Sequence, residues 1–221
     1  MSDRSTDPGV AGLPAELTRL LPPATVATWL TVSPLVPASA YLAGGTGLTV
    51  HLLHRVSRDL DFFCESDDDL EVTARALERA GSVLFDVRRA DTLSGTFDTT
   101  KLQVFSVPRV TLLEPTVSVA GVRVASIRDI LAMKLKTLID RGALRDYFDL
   151  MTIEQQTGLT VLDGLELAIA KFHPPDPEGF RAQMLRGVRT THDVEDDPTL
   201  PIESATVTGY WANRSRSLPR H

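Results

Sequence analysis

Two short motifs near the start of the chain have an order and spacing that restrict the folds open to it. A short apolar run leads into Gly44-Gly45-Thr46, and Asp59-Leu60-Asp61 follows after twelve intervening residues. Between the motifs, leucines recur at helical spacing, and Thr46 is a candidate cap for that helix. The pattern predicts a strand at 41–43, a glycine turn, a helix, and a second strand, Leu60–Cys64, that bears the aspartates.

The residue types in these motifs indicate phosphate and metal chemistry. Side chains alternate along a strand, so Asp59 and Asp61 lie on the same face. Two neighbouring carboxylates repel each other unless a cation lies between them, and Mg²⁺ or Mn²⁺ takes oxygen ligands of this kind together with substrate phosphates. The pair Gly44-Gly45 lets backbone N–H groups approach a phosphate, and Thr46 adds a hydroxyl donor. The combination suits nucleotidyl transfer from a nucleoside triphosphate (NTP).

The rest of the chain divides into an α/β part and a helical part. We predict a nucleotidyltransferase α/β domain over residues 1–124, with 1–14 as a flexible leader, and a helical domain over 125–221 that completes the active site. Ser126 and Asp129 form a helix-start pattern, and Gly142 separates two helices up to about Met151. Other segments follow helical or strand periodicity. Helices are predicted at 15–38 (interrupted by prolines), 68–80 (with Leu70, Val72, Ala76 and Leu77 on its inner side), 159–172 and 178–187. Strands are predicted at 82–89, 97–107 and 117–125, with turn signals at Gly95 and Gly121.

Composition excludes several classes of protein. The net charge of −6 argues against a protein that coats nucleic acid non-specifically. The chain contains no apolar run long enough for a membrane span. Its single cysteine, Cys64, rules out an internal disulfide. We therefore expect a cytoplasmic protein with no membrane partner.

A second group of charged residues lies in the helical part. Lys134 and Arg141 follow helical spacing and are expected to point the same way, while Arg145 and Asp149 are four residues apart, as are Lys136 and Asp140. One interpretation is a helix hairpin with surface salt bridges. The other is a functional site in which Lys134, supported by Arg141 and Arg145, holds the phosphates of a nucleotide.

Both blocks together resemble a known family. The runs GGTGLTVHLLHRVSRDLDFF (44–63) and IRDILAMKLKTLIDRGALRDYFDL (127–150) are similar to the AbiEii/AbiGii nucleotidyltransferase toxins of type IV toxin–antitoxin systems, which include the mycobacterial Men toxins. The resemblance implies a polymerase-β-like fold with a mixed sheet and a helical C-terminal half. It also implies Mg²⁺, an NTP donor (a pyrimidine NTP is one candidate), a cognate antitoxin, and transfer to the 3′ end of tRNA, which blocks charging and translation.

The resemblance also assigns roles to individual residues. Gly45 and Thr46 would hold the triphosphate with Gly44, Asp59 and Asp61 would bind metal, Lys134 would contact phosphates, and Asp149 would complete the site. Apart from the resemblance, Arg55 or Arg58 is a candidate supplementary phosphate ligand, and surface pairing with a nearby Asp or Glu is the alternative role of both. Ser57, two residues before Asp59, is the candidate for a regulatory phosphorylation, because a phosphate there would compete with the triphosphate.

Three questions stay open at this level. The strand expected to supply a third carboxylate has Gln103 at its polar position, so the general base is unassigned. The acceptor could instead be a protein or a small molecule, or the fold could be a catalytically silent binding module. C-terminal arginines (Arg181, Arg186, Arg189, Arg214, Arg216 and Arg220) are either an RNA-binding surface or ordinary solvated residues.

Overall fold

A computed structural model describes residues 12–66, 70–191 and 194–219. Its contacts divide the chain into two compact units. The first consists of the described residues up to Val107 together with Thr116–Val124, and the second consists of Pro108–Pro115 and the described residues from Ala125 onward. Most of the predicted leader lies outside the described residues, but Leu13 is buried in the core of the first unit.

The first unit contains a mixed seven-stranded sheet. Its helices are α1 (Ala15–Leu20), α2 (Pro23–Val32), α3 (Gly44–Leu52) and α4 (Leu70–Ala80). Its strands are β1 (Ala40–Leu42), β2 (Leu60–Cys64), β3 (Val83–Arg88), β4 (Thr92–Phe97), β5 (Thr100–Ser106), β6 (Val117–Val119) and β7 (Val122–Val124). The strand order is β3-β4-β5-β2-β1-β7-β6, with β1/β7 and β2/β5 parallel and the remaining pairs antiparallel.

The two faces of the central strands differ in character. On one face Leu60, Phe62 and Val104 are fully buried in a hydrophobic core that includes residues of α1, α2 and α4. On the other face Phe63 stacks on Tyr41 and Phe105, with ring centroids 5.9 and 5.3 Å apart. Because side chains alternate, Asp61 belongs to this second face, and the predicted strand Leu60–Cys64 is confirmed.

One helix prediction in this unit is partly wrong. Leu70 and Leu77 are buried as predicted, but Val72 is 70% exposed, and Thr73 and Ala74 take the inner positions instead. The buried residues follow the spacing i, i+3, i+4, i+7, so helix geometry rather than side-chain hydrophobicity decides which positions face inward. The predicted first residues of this helix lie outside the described ranges.

The second unit is helical. It contains α5 (Ile127–Asp140), α6 (Leu144–Thr157), α7 (Val161–Phe172), α8 (Pro177–Arg189) and α9 (Ser204–Arg214), followed by a short 3₁₀-helix, Ser215–Ser217. The Ser126 hydroxyl accepts the Asp129 N–H at 3.1 Å, so the predicted start of α5 is confirmed. Among the described residues, none of the helices has the length and apolar character that a membrane span requires.

The last helix is anchored to the rest of its unit. Trp211 is buried and its Nε1 donates to the Tyr147 carbonyl at 2.9 Å. Tyr210 donates to the Glu154 carboxylate, and Arg214 pairs with the same carboxylate at 3.0 Å. Burial raises the pKa of the Tyr210 phenol, and its hydrogen bond to Glu154 raises it further. Tyr210 and Trp211 therefore stabilise the fold, and α9 is part of the helical core.

Candidate nucleotide and metal site

The glycine motif lies at the junction of β1 and α3, beside the aspartate strand. β1 pairs with β2, and the Ala43 N–H donates to the Asp61 carbonyl at 2.9 Å. No acidic residue lies in the first turn of α3, and none of the described side chains caps its start. Helix N-termini with exposed N–H groups favour anions, so the local structure suits a phosphate at Gly44 and Gly45.

Gly44 lies directly against the Asp61 carboxylate. Its φ angle is +63°, and a Cβ atom placed there would collide with that carboxylate, with Asp61 Cγ only 3.2 Å away. Asp61 and Asp59 are both half-buried, on either side of the fully buried Leu60. Two neighbouring carboxylates beside a glycine turn are the kind of oxygen ligands that a hard cation takes together with phosphate oxygens and water. Within the described residues no cluster of three or more His, Cys, Asp or Glu side chains forms an all-protein metal cage.

The predicted role of Thr46 as a helix cap is wrong. α3 begins at Gly44 with Ala43 as its N-cap, so Thr46 lies inside the helix. Its buried Oγ1 lies 2.7 Å from Ser57 Oγ and 2.5 Å from the Asp59 carbonyl oxygen. These hydrogen bonds fix the loop that leads into β2 and so help to place Asp59. Contact between the Thr46 hydroxyl and a triphosphate stays a prediction.

Arg55 and Ser57 line the same turn from the loop before β2. Both are buried, and a Cβ atom on Gly45 would meet the Arg55 guanidinium and, at 3.1 Å, Ser57 Oγ. Arg55 Nη1 also donates to the Val56 carbonyl at 3.1 Å. The Arg55 side chain is therefore buried rather than at the surface, and its positive charge lies beside the glycine turn. Its role as a phosphate ligand stays a prediction.

Strand β5 is the neighbour of β2 that was expected to supply a third carboxylate, and it has Gln103 at that position. β5 runs parallel to β2, with Gln103 opposite Asp61 in the register. Gln103 Nε2 donates to Ser94 Oγ on β4 at 3.1 Å. An amide therefore occupies the position adjacent to Asp61, and it accepts no proton at neutral pH.

The helical unit contains a second cluster, centred on Lys134. Lys134 Nζ lies 2.7 Å from Asp146 Oδ1 and 2.7 Å from Asp149 Oδ2, and all three side chains are buried. The surface-hairpin interpretation fails for these residues, although it holds for the exposed pair Lys136–Asp140. Asp149 pairs with Lys134. Asp146, to which the sequence assigned no role, also lies in this cluster.

The supporting arginines differ from the sequence expectation. α5 ends at Asp140, and Arg141 has an extended backbone and an exposed side chain. The helical spacing that would align it with Lys134 therefore does not apply. Arg145 is half-buried in the first turn of α6, one turn before Asp149. A supporting role for either arginine stays a prediction.

The C-terminal arginines do not form one uniform group. Arg181 pairs with Glu166 at 2.6 Å, and Arg214 pairs with Glu154. Arg186 and Arg216 are exposed, Arg189 donates to the Pro219 carbonyl, and Arg220 lies outside the described residues. Two of these side chains thus contribute to contacts within the helical unit, which favours the structural interpretation for them.

The Gly44 geometry gives a stability prediction. Gly158, at the end of α6, also has a positive φ (+76°), but a Cβ atom there would meet nothing within 4 Å. Gly158→Ala should cost about 1–2 kcal/mol from backbone strain alone. Gly44→Ala should cost about 1–3 kcal/mol more, because the added methyl displaces Asp61. Urea unfolding of both variants measures the difference, and equal losses would contradict the close approach.

Comparison with known proteins identifies relatives over most of the chain. A family model described as nucleotidyl transferase AbiEii toxin, type IV toxin–antitoxin system, matches residues 34–119 and 103–218. An uncharacterised protein of Aquifex aeolicus is 30% identical over 139 residues, which cover 62% of this chain and 68% of the relative.

Solved structures share the fold. The nucleotidyltransferase toxin MenT4 from Mycobacterium tuberculosis superposes with a TM-score of 0.59 at 17% identity, covering 92% of this chain and 85% of MenT4. A structure described as a nucleotidyltransferase from Helicobacter pylori gives a TM-score of 0.52 at 19% identity, covering 95% of this chain and all of the other. The predicted α/β, polymerase-β-like fold with a mixed sheet is thereby confirmed.

Proposed function

The chain belongs to the AbiEii family of type IV toxin–antitoxin nucleotidyltransferases, and we propose that it transfers a nucleotide from an NTP to the 3′ end of tRNA. Enzymatic nucleotidyl transfer and an antitoxin partner follow from family membership. The acceptor, the metal and the roles of single residues form the proposal. The placement of Gly44 directly against Asp61 is the observation that carries it, because it joins a phosphate-binding turn to a carboxylate pair.

The proposed reaction is an in-line displacement at the α-phosphorus. A 3′-hydroxyl oxygen forms a bond to the α-phosphorus, the bond to the bridging oxygen of the β-phosphate breaks, and pyrophosphate leaves with the electron pair. The hydroxyl proton passes to solvent or to a base. Mg²⁺ or Mn²⁺, held by Asp59 and Asp61, would neutralise phosphate charge and lower the pKa of the attacking hydroxyl.

The protein's own contribution is to position and neutralise the triphosphate. The first N–H groups of α3 at Gly44 and Gly45 donate to phosphate oxygens. Arg55, beside Gly45, adds a positive charge from a buried position. Lys134 supplies a second cation for the departing pyrophosphate, and Asp149 holds its ammonium. Since Gln103 stands where some nucleotidyltransferases have an acid, this scheme assigns no protein base on the β5 strand.

Ser57 is proposed as a site of silencing phosphorylation. Its Oγ lies beside Gly45 and Thr46, where a phosphate group would bring about two negative charges into the predicted triphosphate position. Such a group would pair with the Arg55 guanidinium and exclude the NTP. Because Ser57 is buried, modification requires the loop before β2 to open.

The acceptor is tested by incubating the purified protein with total tRNA, Mg²⁺ or Mn²⁺, and each α-labelled NTP in turn. Label is expected at tRNA 3′ ends with one or more NTPs, and the productive NTP names the donor. Total cytoplasmic protein and a panel of small hydroxyl compounds are tested in parallel. Label that appears only in protein or small molecules would contradict the tRNA acceptor and favour one of the alternatives.

A further inference from the structure

Gln103 is the side chain of β5 that lies beside Asp61. The two residues are opposite each other in the parallel pairing of β5 with β2, and neighbouring strands are about 4.8 Å apart. Leu102 and Val104, on either side of Gln103 in the chain, are buried in the core on the other face of the sheet, so the half-buried Gln103 belongs to the face of Asp61. A polar but uncharged side chain therefore stands beside the carboxylate pair.

The amide of Gln103 is held by the strand on its other side. Its Nε2 donates to Ser94 Oγ at 3.1 Å, and Ser94 lies opposite Gln103 in the pairing of β4 with β5. The sheet order β4-β5-β2 places Ser94 and Asp61 on opposite sides of Gln103. Because the two ends of an amide point apart, anchoring Nε2 toward β4 turns Oε1 away from β4, to the side of Asp61. Oε1 only accepts hydrogen bonds, so it suits a group with a hydrogen to donate rather than an ionised phosphate oxygen.

The sheet order also indicates where the reacting groups lie. The glycine turn follows β1, which pairs with β2 on the side opposite β5. In the proposed reaction the pyrophosphate end of the NTP lies at that turn, and an in-line displacement brings the attacking oxygen to the opposite side of the α-phosphorus. With the phosphorus beside the carboxylate pair, the attacking hydroxyl lies on the β5 side, where Gln103 stands.

We infer that Gln103 Oε1 accepts a hydrogen bond from the attacking hydroxyl of the acceptor and holds its oxygen in line with the leaving pyrophosphate. The inference rests on the proposed function in taking an NTP donor and a hydroxyl acceptor, but not in taking tRNA as that acceptor. When the new O–P bond forms, the hydroxyl proton passes to water and the electron pair of the broken bond leaves with pyrophosphate. Gln103 is thus an acceptor-binding residue that keeps its own protonation state throughout.

Gln103→Leu, which keeps the approximate size of the side chain without its amide, tests this inference. At saturating NTP and varied acceptor, kcat/KM for the acceptor should fall about ten- to a hundredfold, because the attacking oxygen is no longer held in line. Calorimetry with the productive NTP and Mg²⁺, without acceptor, should give an affinity within about twofold of the wild type. Ser94→Ala keeps the amide and removes only its anchor, so it should lower kcat/KM about two- to fivefold.

Thr96→Val is the matched control. Thr96 lies opposite Lys101 in the next pair along the same two strands and on the same face, so this substitution alters the sheet surface without changing Gln103 or Ser94. It should leave both kcat/KM and NTP affinity unchanged.

A role confined to strand pairing would give another result. Ser94→Ala would then be as harmful as Gln103→Leu, and that outcome overturns the inference, as does a folded Gln103→Leu protein with wild-type kcat/KM. An NTP affinity that falls as far as kcat/KM would place the contact on the donor and also overturns it. If Gln103→Leu does not fold, Gln103→Met serves in its place with the same expectations.

The inference and the proposed function fail in distinguishable ways. A wild-type protein that labels another protein or a small hydroxyl compound instead of tRNA contradicts the proposed acceptor, and Gln103→Leu is then assayed with the acceptor that is labelled. A wild-type protein that labels tRNA while Gln103→Leu labels it equally well contradicts only the inference. A wild-type protein that labels none of the acceptors overturns both.

Discussion

Asp61→Asn is expected to reduce nucleotide transfer at least about a thousandfold. This corresponds to a loss of about 4 kcal/mol of transition-state stabilisation, a reasonable loss for a metal-binding carboxylate. Asn keeps the size of the side chain and its strand position opposite Gln103, but it removes the charge that would hold the cation. Initial rates at saturating NTP, measured with the acceptor that the wild type labels, give the ratio.

The fold of this variant should be largely unaffected. Asn has nearly the same volume as Asp and can make hydrogen bonds at this half-buried position, so the substitution should change the free energy of unfolding by less than about 1 kcal/mol. Asp86→Asn provides a matched control, because Asp86 is an exposed strand residue on β3. Its transfer rate should equal that of the wild type. Asp61→Asn protein that is folded and keeps a tenth of the activity would refute the metal role.

The local part of the site could be predicted from sequence because its residues are close in the chain. The strand–turn–helix–strand order from β1 to β2 follows from hydrophobic spacing and the glycine pair, and the alternation of Asp59 and Asp61 around Leu60 follows from strand geometry. Sequence could not reveal that the Thr46 hydroxyl turns inward to Ser57 and Asp59. That choice depends on tertiary packing of the loop before β2.

In the β3–β5 region, Gly95 led to a wrong prediction of where the turn lies. Gly95 suggests a turn, but it lies within β4, and a Cβ atom there would meet the backbone of Leu84 and Phe85. The β3–β4 register shifts between Phe85 and Val87, so the glycine accommodates the close approach of a bulged neighbour. The actual turn follows Phe97, where Asp98 takes a positive φ of 51°. Strand β4 was therefore missed, and the strand predicted from residue 97 contains the turn.

Asp146 and α9 were missed for another reason. In the sequence, Asp146 is one of several charged residues in a helix hairpin that could form surface salt bridges. In the structure it is buried and pairs with Lys134. Spacing was the available signal, since Asp146 and Asp149 are one helical turn apart and share a face. Val207 and Trp211 are the buried residues of α9, and the position of this helix depends on Trp211 and Arg214, which contact α6 more than 50 residues earlier in the chain. Pairings at this separation leave no periodic pattern.

Lys171→Met is expected to destabilise the protein by about 3–5 kcal/mol. Lys171 and Asp129 are both fully buried, with Nζ and Oδ1 2.6 Å apart, and Lys171 also donates to the Thr111 carbonyl at 3.0 Å. Replacing the lysine leaves the Asp129 carboxylate buried without its cation. A loss of this size is a large fraction of the stability of an ordinary domain.

The matched control is Lys136→Met in the same helical unit. Lys136 pairs with Asp140, but that pair is exposed, so its removal should cost at most about 1 kcal/mol. The double variant Asp129→Asn/Lys171→Met should recover part of the loss, because it removes the buried charge as well. Urea unfolding measures all three variants. A Lys171→Met loss no greater than that of Lys136→Met would contradict the argument.

The destabilisation caused by Lys171→Met should be largest in the segment Pro108–Pro115. Asp129 accepts the N–H groups of Leu113 and Glu114 at 2.9 and 3.3 Å, so the buried pair holds Pro108–Pro115 against α5 and α7. This segment belongs to the helical unit although the chain before and after it belongs to the sheet unit. With Lys171 replaced, the buried Asp129 carboxylate has lost its cation and is driven toward solvent, which weakens these hydrogen bonds. Hydrogen exchange at Leu113 and Glu114 should therefore accelerate in Lys171→Met more than at the core amides of α6, and uniform acceleration would instead indicate only a global loss of stability.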